Sequence, residues 1–215
     1  MAIQLVIVDS HPVVVDGLSA LLAAEREIEV VGVAGSVADA KELLAAVAAD
    51  VALLDIRLAD GLVFNLLSEI ATGGATQAIL YSSFDNDQYV AEAIRRGARG
   101  FVLKTTRVGD LLQTIRRVAA GGYEISPRQI DRGRTAITLS ARERDLVRLV
   151  VDGCSNSTIG NCLGLATNSV ERFLSRLYER VNVTGRVELV VRSEREGWLE
   201  SVELSTVESG IPHLR

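Results

Sequence analysis

Histidine and cysteine are nearly absent from this 215-residue chain, which holds only His11, His213, Cys154 and Cys162. The two cysteines form no CxxC pair and have little histidine beside them, so a structural zinc site is not expected and reduced thiols of a cytoplasmic protein are. No apolar run approaches the roughly 18–20 residues that a bilayer demands. The N-terminus shows no basic segment leading into a signal-peptide core, and no membrane association is expected. The first βα turn lacks both a GxGxxG and a Walker loop, and no Ser/His/Asp arrangement is visible, so the chain is not expected to be an enzyme. Internal repeats and low-complexity segments are missing too. The net charge of −5 argues against a general nucleic-acid coat. Its distribution is uneven: residues 1–120 carry 15 acids and 10 bases, residues 121–200 carry 11 and 12.

What is present is apolar sequence with two kinds of texture. Hydrophobic residues make up 48% of the chain, which excludes a disordered one. LVIV (5–8), EVVGVA (29–34), VALL (51–54), AILYS (78–82) and GFVL (100–103) read as strands of the fully buried type. Helical patterns near 12–24, 36–48, 62–71, 87–97 and 107–120 separate them, the second opened by a capping box of Ser36 and Asp39. This alternation predicts an α/β doubly wound five-stranded parallel sheet over residues 1–120. Residues 121–137, with Gly-Gly, a proline and dispersed charge, read as a linker. Helices alone follow: 139–153 with the capping box Ser140/Glu143, 155–164 with Ser155 as N-cap, 167–181, and 185–200. They predict a small all-α domain over 138–200, and 201–215 is expected to be a flexible tail.

In a doubly wound sheet, functional groups gather beyond the carboxyl ends of the strands. The residues leaving those ends are Asp9, Asp55, Ser82 and Lys104. Two carboxylates, a hydroxyl and an ammonium suit phosphoryl transfer: carboxylates attract Mg²⁺, one of them can be the nucleophile, and the other groups neutralise the transferring oxygens. The blocks IVDSHPVVVDGL, LLDIRLADG and ARGFVLK make residues 1–120 resemble the flavodoxin-like receiver domain of two-component response regulators. The resemblance implies Asp55 as phosphoacceptor, Asp9, Asp55 and the Arg57 carbonyl as Mg²⁺ ligands, Ser82 and Lys104 as phosphoryl partners, and Phe101 as the aromatic that reorients. Phe101 can equally be an ordinary core side chain.

A helix, a short helix, a turn and a longer helix is the order of a helix-turn-helix module, whose second helix enters the major groove. In 167–181 the residues Val170, Phe173, Leu174, Leu177 and Val181 share a face, and Asn168, Arg172, Ser175 and Glu179 share the opposite one. LSARERDLVRLVVDGCSNSTIGNCLGLATNSVERFLSRLYERVNV is similar to the LuxR-type output domain. Joined to a receiver, it identifies the NarL/FixJ class of response regulator. That class implies a homodimer that binds DNA and answers to a sensor histidine kinase or another phosphodonor. It implies Thr167, Asn168, Glu171, Arg172 and Arg176 as DNA-facing residues, and Val187, Val190 and Val191 as dimer contacts or core.

The chain departs from that pattern. Ser10 replaces the second of two adjacent acids, Ala59 stands where proline is common, and Val63 where glycine is usual. Weakened Mg²⁺ binding and slowed phosphorylation are expected, because a serine oxygen is a neutral, weaker ligand for a hard cation. Ser157 and Glu171 stand where cations are frequent, which lowers the salt-sensitive share of DNA affinity. Glu171 could accept from a cytosine amino group or repel DNA. The leading expectation is a DNA-binding transcription regulator controlled at Asp55. The alternatives are a receiver acting without phosphorylation, or a protein-interaction module that has lost DNA.

Overall fold

The five apolar runs pair into one parallel sheet in a computed structural model of the chain, which describes residues 2–199. The tail expected at 201–215, and Glu200 at the end of the expected helical domain, lie outside the described residues. The strands are β1 Ile3–Val8, β2 Ile28–Ala34, β3 Val51–Leu54, β6 Gln77–Ser82 and β7 Gly100–Leu103. A two-stranded antiparallel hairpin, β4 Arg57–Leu58 and β5 Gly61–Leu62, sits between β3 and the following helix and was not foreseen in the sequence. The sheet order is β2-β1-β3-β6-β7, so the chain reverses direction of travel at β1 and β3, and their carboxyl ends open the crevice where such sheets bind ligands.

The strands are apolar throughout because both faces are covered. Val6 and Val8 of β1 face one core layer with Ala52 and Leu54 of β3, Phe64 and Leu67 of α3 (Phe64–Gly73), and Tyr89 and Val90 of α4 (Asp87–Arg95). That layer also takes Ala40 of α2 (Val37–Ala46). Leu5 and Ile7 face the other layer, with Leu18 and Leu22 of α1 (Pro12–Leu22) and Leu111, Ile115 and Val118 of α5 (Val108–Ala119). The start of α2 differs in detail from expectation. Ser36 accepts from the Asp39 N–H, but Asp60 in the β4–β5 turn accepts from the Val37 and Ala38 N–H groups at 2.6 and 3.0 Å. Those two bonds hold the Asp60 carboxyl below its usual range.

Residues 121–137, expected to be a linker, contain the helix α6 Pro127–Thr135. Ser126 and Gln129 close a capping box at its start, with Pro127 in the first turn. The helix lies along α4. Arg132 reaches the Asp87 carboxylate at 2.6 Å and the Asp85 carboxylate at 2.8 Å, and Gln129 donates to the Phe101 carbonyl. A Cβ on Gly133 would come within 3.2 Å of the Ala91 backbone nitrogen and of Val90 and Ile94, so glycine permits the close approach of the two helices. The first unit therefore extends through α6 to Ala136, and a second begins at Ile137.

The second unit is α7 Ala141–Val151, α8 Asn156–Leu163, α9 Thr167–Arg180 and α10 Arg186–Glu196 around Leu146, Val150, Ile159, Val170, Leu174, Leu177, Leu189 and Trp198. At α7 the expected capping box is present, and Glu143 also pairs with Arg180 of α9 at 2.8 Å. Burial pushes the Glu143 carboxyl up, but the Ser140 hydrogen bonds and Arg180 outweigh it and leave it below its usual range. Glu143→Ala should destabilise this unit by about 1 kcal/mol through the lost cap and ion pair. A depressed carboxyl contributes fully above its unfolded value and loses its contribution as pH falls through the folded one. The difference between wild type and variant in urea unfolding should therefore shrink below pH 4.5.

Candidate functional site

The carboxyl ends of β1, β3 and β7 bring Asp9, Asp55 and Lys104 together, although they are far apart in the chain. Sheet hydrogen bonds fix them: the Asp9 N–H donates to Ala34, the Asp55 N–H to Val8 and the Lys104 N–H to Ser82. The Lys104 ammonium lies 2.6 Å from Asp9 Oδ2 and 2.9 Å from Asp55 Oδ2. Both carboxylate side chains are at most 5% exposed, and Lys104 is 12% exposed. Burial pushes the Asp55 carboxyl above its usual range, against the opposing pull of Lys104. Burial also works against the Lys104 charge, yet its hydrogen bonds to Asp9 and Asp55 prevail and hold the ammonium above the ordinary lysine range.

His11, which sequence reasoning passed over, is the fourth member. Its backbone N–H and its Nδ1 both lie 2.9 Å from Asp9 Oδ1, and Nδ1 is 3.7 Å from Asp55 Oδ2. The signal was available: it is one of two histidines, two residues after an end-of-strand aspartate. Asp9 Oδ2 is buried against the Lys104 ammonium, its one close partner at 2.6 Å among the described residues. The Asp55 Oδ1 accepts from the Ile56 N–H at 2.8 Å.

The other expected residues are placed around this cluster. The Ser10 hydroxyl donates weakly to the Arg57 carbonyl at 3.4 Å, the oxygen expected as a metal ligand. The Arg57 guanidinium stacks 4.2 Å from the centre of the Phe84 ring. Ser82 is fully buried at the end of β6, but its hydroxyl bonds the Phe84 carbonyl and accepts the Phe84 N–H rather than reaching the carboxylates. Phe101 is buried in the core layer beside α4. The donors present are two carboxylates, one carbonyl, one hydroxyl and one imidazole. In type they fit a divalent cation, with a single anionic oxygen from each of two aspartates.

A second candidate surface is on α9. Val170, Leu174 and Leu177 are buried, whereas Thr167, Asn168, Glu171, Arg172 and Arg176 are all exposed. The turn before α9 needs glycine: a Cβ on Gly160 would lie 2.5 Å from the Leu165 carbonyl oxygen. That close approach lets the Leu165 N–H bond the Gly160 carbonyl at 2.8 Å and brings α8 against α9. On α10, Val187 is 79% and Val191 59% exposed, while Val190 is half-buried against the unit's own core.

Comparison with known proteins gives a family match in each of the two units. Residues 5–116 match the response regulator receiver domain family, and residues 137–193 match the bacterial regulatory proteins of the luxR family. The chain is 32% identical over 210 residues to the DNA-binding transcriptional activator DevR/DosR of Mycobacterium tuberculosis, covering 88% of this chain and 93% of that one. It is 31% identical to the transcriptional regulatory protein UhpA of Escherichia coli, covering 91% and 100%. Among solved structures it resembles the RcsB response regulator of Salmonella typhimurium (TM-score 0.69, 18% identity, 89% and 99% covered). Its first unit resembles the receiver domain of a NarL regulator from Mycobacterium tuberculosis (TM-score 0.53, 30% identity, 56% and 98% covered).

Lys104→Met leaves two buried carboxylates facing each other and should cost about 3–5 kcal/mol of first-unit stability. Asp9→Asn in the same chain should recover a large part of that loss. Urea unfolding of the two single variants and the double variant checks this as a cycle.

Proposed function

The chain belongs to the response regulators, a receiver domain joined to a LuxR-family regulatory domain, and from that premise we propose a DNA-binding transcription regulator switched by phosphorylation of Asp55. The observation that carries this reading is the Lys104 ammonium held between Asp9 and Asp55 at the sheet's switch point. An Asp55 carboxylate oxygen forms the new bond to phosphorus while the donor's bond breaks, releasing acetate where the donor is acetyl phosphate. Lys104 then neutralises phosphoryl oxygens, and the Ser82 hydroxyl joins it by leaving Phe84. Phe101 starts from a buried position and moves with Ser82. Asp9, Asp55 and the Arg57 carbonyl would hold Mg²⁺, which supplies positive charge to the transferring oxygens.

The receiver proper ends near residue 120, α6 extends it, and 138–200 binds DNA. Arg172 and Arg176 serve guanine edges or phosphates, Asn168 adenine, and Thr167 the helix start. Val187 and Val191, large and exposed, suit a homodimer contact on α10, with Val190 behind them. A sensor histidine kinase is the natural donor. DNA as a partner places the protein inside the cell. The expected chemistry is one aspartyl phosphate per chain, not turnover of an outside substrate.

A second reading, a receiver that works without phosphate, is favoured by the Ser10 hydroxyl on the Arg57 carbonyl. Incubation with Mg²⁺ and labelled acetyl phosphate decides between them. Incorporation should be slow but stoichiometric and should vanish in Asp55→Asn. A folded wild-type protein that takes up no label with any divalent ion supports the second reading instead.

On DNA, Arg172→Ala and Arg176→Ala should each weaken binding by about 1–3 kcal/mol if they read a guanine edge. Glu171→Lys should tighten binding and steepen the salt dependence by roughly one phosphate contact. Gel-shift titration at several salt concentrations checks both. Loss of all retention at low salt would leave a protein-interaction module.

A further inference from the structure

Helix α6 is held to the first unit mainly by polar contacts. None of its side chains is fully buried, so the largest favourable term in folding does little to keep it in place. Ile130 packs half-buried against the core, and at Gly133 the helix comes close to α4. The rest of the attachment is made by two side chains. Arg132 lies 2.6 Å from the Asp87 carboxylate and 2.8 Å from that of Asp85, and it donates to the Asp85 carbonyl at 3.0 Å. Gln129 donates to the Phe101 carbonyl at 3.3 Å, beside a cleft of about 580 Å³ whose walls include Thr106, Thr114 and Tyr123. Asp85 follows directly on Phe84, whose backbone N–H and carbonyl are fixed by the Ser82 hydroxyl at 2.9 and 3.1 Å. Both side-chain attachments therefore end at or beside a residue of the phosphoryl site.

We propose that α6 is a latch, closed over α4 in the resting chain and released by a phosphoryl group on Asp55. The inference rests on the proposed control at Asp55 and says what that control moves. A Ser82 hydroxyl that turns to a phosphoryl oxygen gives up both bonds to Phe84. The loop from Phe84 to Asp87 then loses the geometry that presents two carboxylates to one planar guanidinium. Arg132 is 29% exposed, and Asp85 and Asp87 are 46% and 33% exposed, so water can take over these ion pairs as they part. The helix itself survives the release, because its start is closed by its own Ser126/Gln129 capping box. Its departure uncovers the face of α4 at Val90 and Ile94 and frees the chain just before Ile137, where the second unit begins. Coupling of this kind is reciprocal: a phosphoryl group that must open α6 binds more tightly to a chain in which α6 is already open.

Hydrogen exchange of residues 127–135 in the full-length protein reads the latch, and calorimetric titration with beryllium fluoride and Mg²⁺, a reversible phosphoryl mimic, reads the coupling. Saturation with the mimic should speed exchange in α6 in wild type and leave it slow in Asp55→Asn. Two variants open the latch by different means. Arg132→Ala removes the ion pairs, and Gly133→Leu collides with α4 while raising helix propensity. Both should exchange fast without the mimic and bind it roughly fivefold more tightly, at the low end of coupling between sites. Protection of α6 that is the same in free and saturated wild type overturns the proposal, as do open variants that bind the mimic no more tightly. Ser82→Ala, which loosens Phe84 without any phosphoryl group, separates the two claims. If wild type takes up neither mimic nor labelled phosphate but Ser82→Ala speeds exchange in α6, phosphorylation alone falls. If Asp55 is labelled and α6 responds to neither label nor Ser82→Ala, this inference alone falls.

Discussion

Two carboxylates, Asp9 and Asp55, are almost fully buried beside each other, and the Lys104 ammonium within 2.9 Å of both is what makes that arrangement tolerable. Uncompensated, either charge would cost several kcal/mol in a dry interior. The three strand ends that deliver them are held in register by backbone bonds of the sheet, so the pocket is as rigid as the sheet itself. A buried ion triad is a poor source of net stability, because desolvation consumes most of the Coulombic gain. Its presence in the crevice is better understood as poise. Asp55 is pushed towards protonation by burial and pulled back by Lys104, so any group that competes for that ammonium changes the balance.

The surroundings of the cluster lead towards α6. From Ser82, whose hydroxyl is tied to the backbone of Phe84, the loop continues to Asp85 and Asp87, and both carboxylates are gripped by Arg132 of α6. The same helix bonds the Phe101 carbonyl through Gln129. A Ser82 hydroxyl drawn away from Phe84 would act on the loop that Arg132 holds, and a displaced Phe101 would act on Gln129. Two contacts of α6 thus rest on the two residues that the phosphorylation reading sets in motion. The chain continues from that helix directly into the second unit.

Much of this was legible in the sequence, and the parts that were not have separate causes. The five strands could be read because a sheet covered on both faces demands unbroken Val/Ile/Leu runs, and the strand-end residues Asp9, Asp55 and Lys104 followed from them. His11 is not legible in the sequence as part of the pocket, because a lone histidine belongs to one only through its distance to Asp9 and Asp55. Helix α6 was hidden by its neighbours. Gly121 and Gly122 read as loop, although Ser126, Pro127 and Gln129 carry a capping-box signal. The Ser36/Asp39 box was half right: Ser36 caps the helix, but Asp60, 21 residues beyond Asp39, supplies the other acceptor, and no local pattern shows that. The direction of the Ser82 hydroxyl belongs to the same class, since a rotamer is decided by its loop.

On the proposed reading, the second unit is a nearly neutral domain that presents a DNA-reading surface. Its α9 is fixed from below by Val170, Leu174 and Leu177 and from its start by the Gly160–Leu165 turn, so its outer face is positioned mainly by packing, with the Glu143–Arg180 pair at its far end. Few cations on that face mean a small contribution from phosphate neutralisation, which is the sequence-blind part of affinity. The proposed reading then leans on base readout, for which Asn168, Arg172 and Glu171 are complementary in type to adenine, guanine and cytosine. A surface with that balance gains in discrimination what it gives up in general attraction. It also makes the affinity of one unit modest, so that two units joined through the exposed Val187 and Val191 would gain the most from acting together.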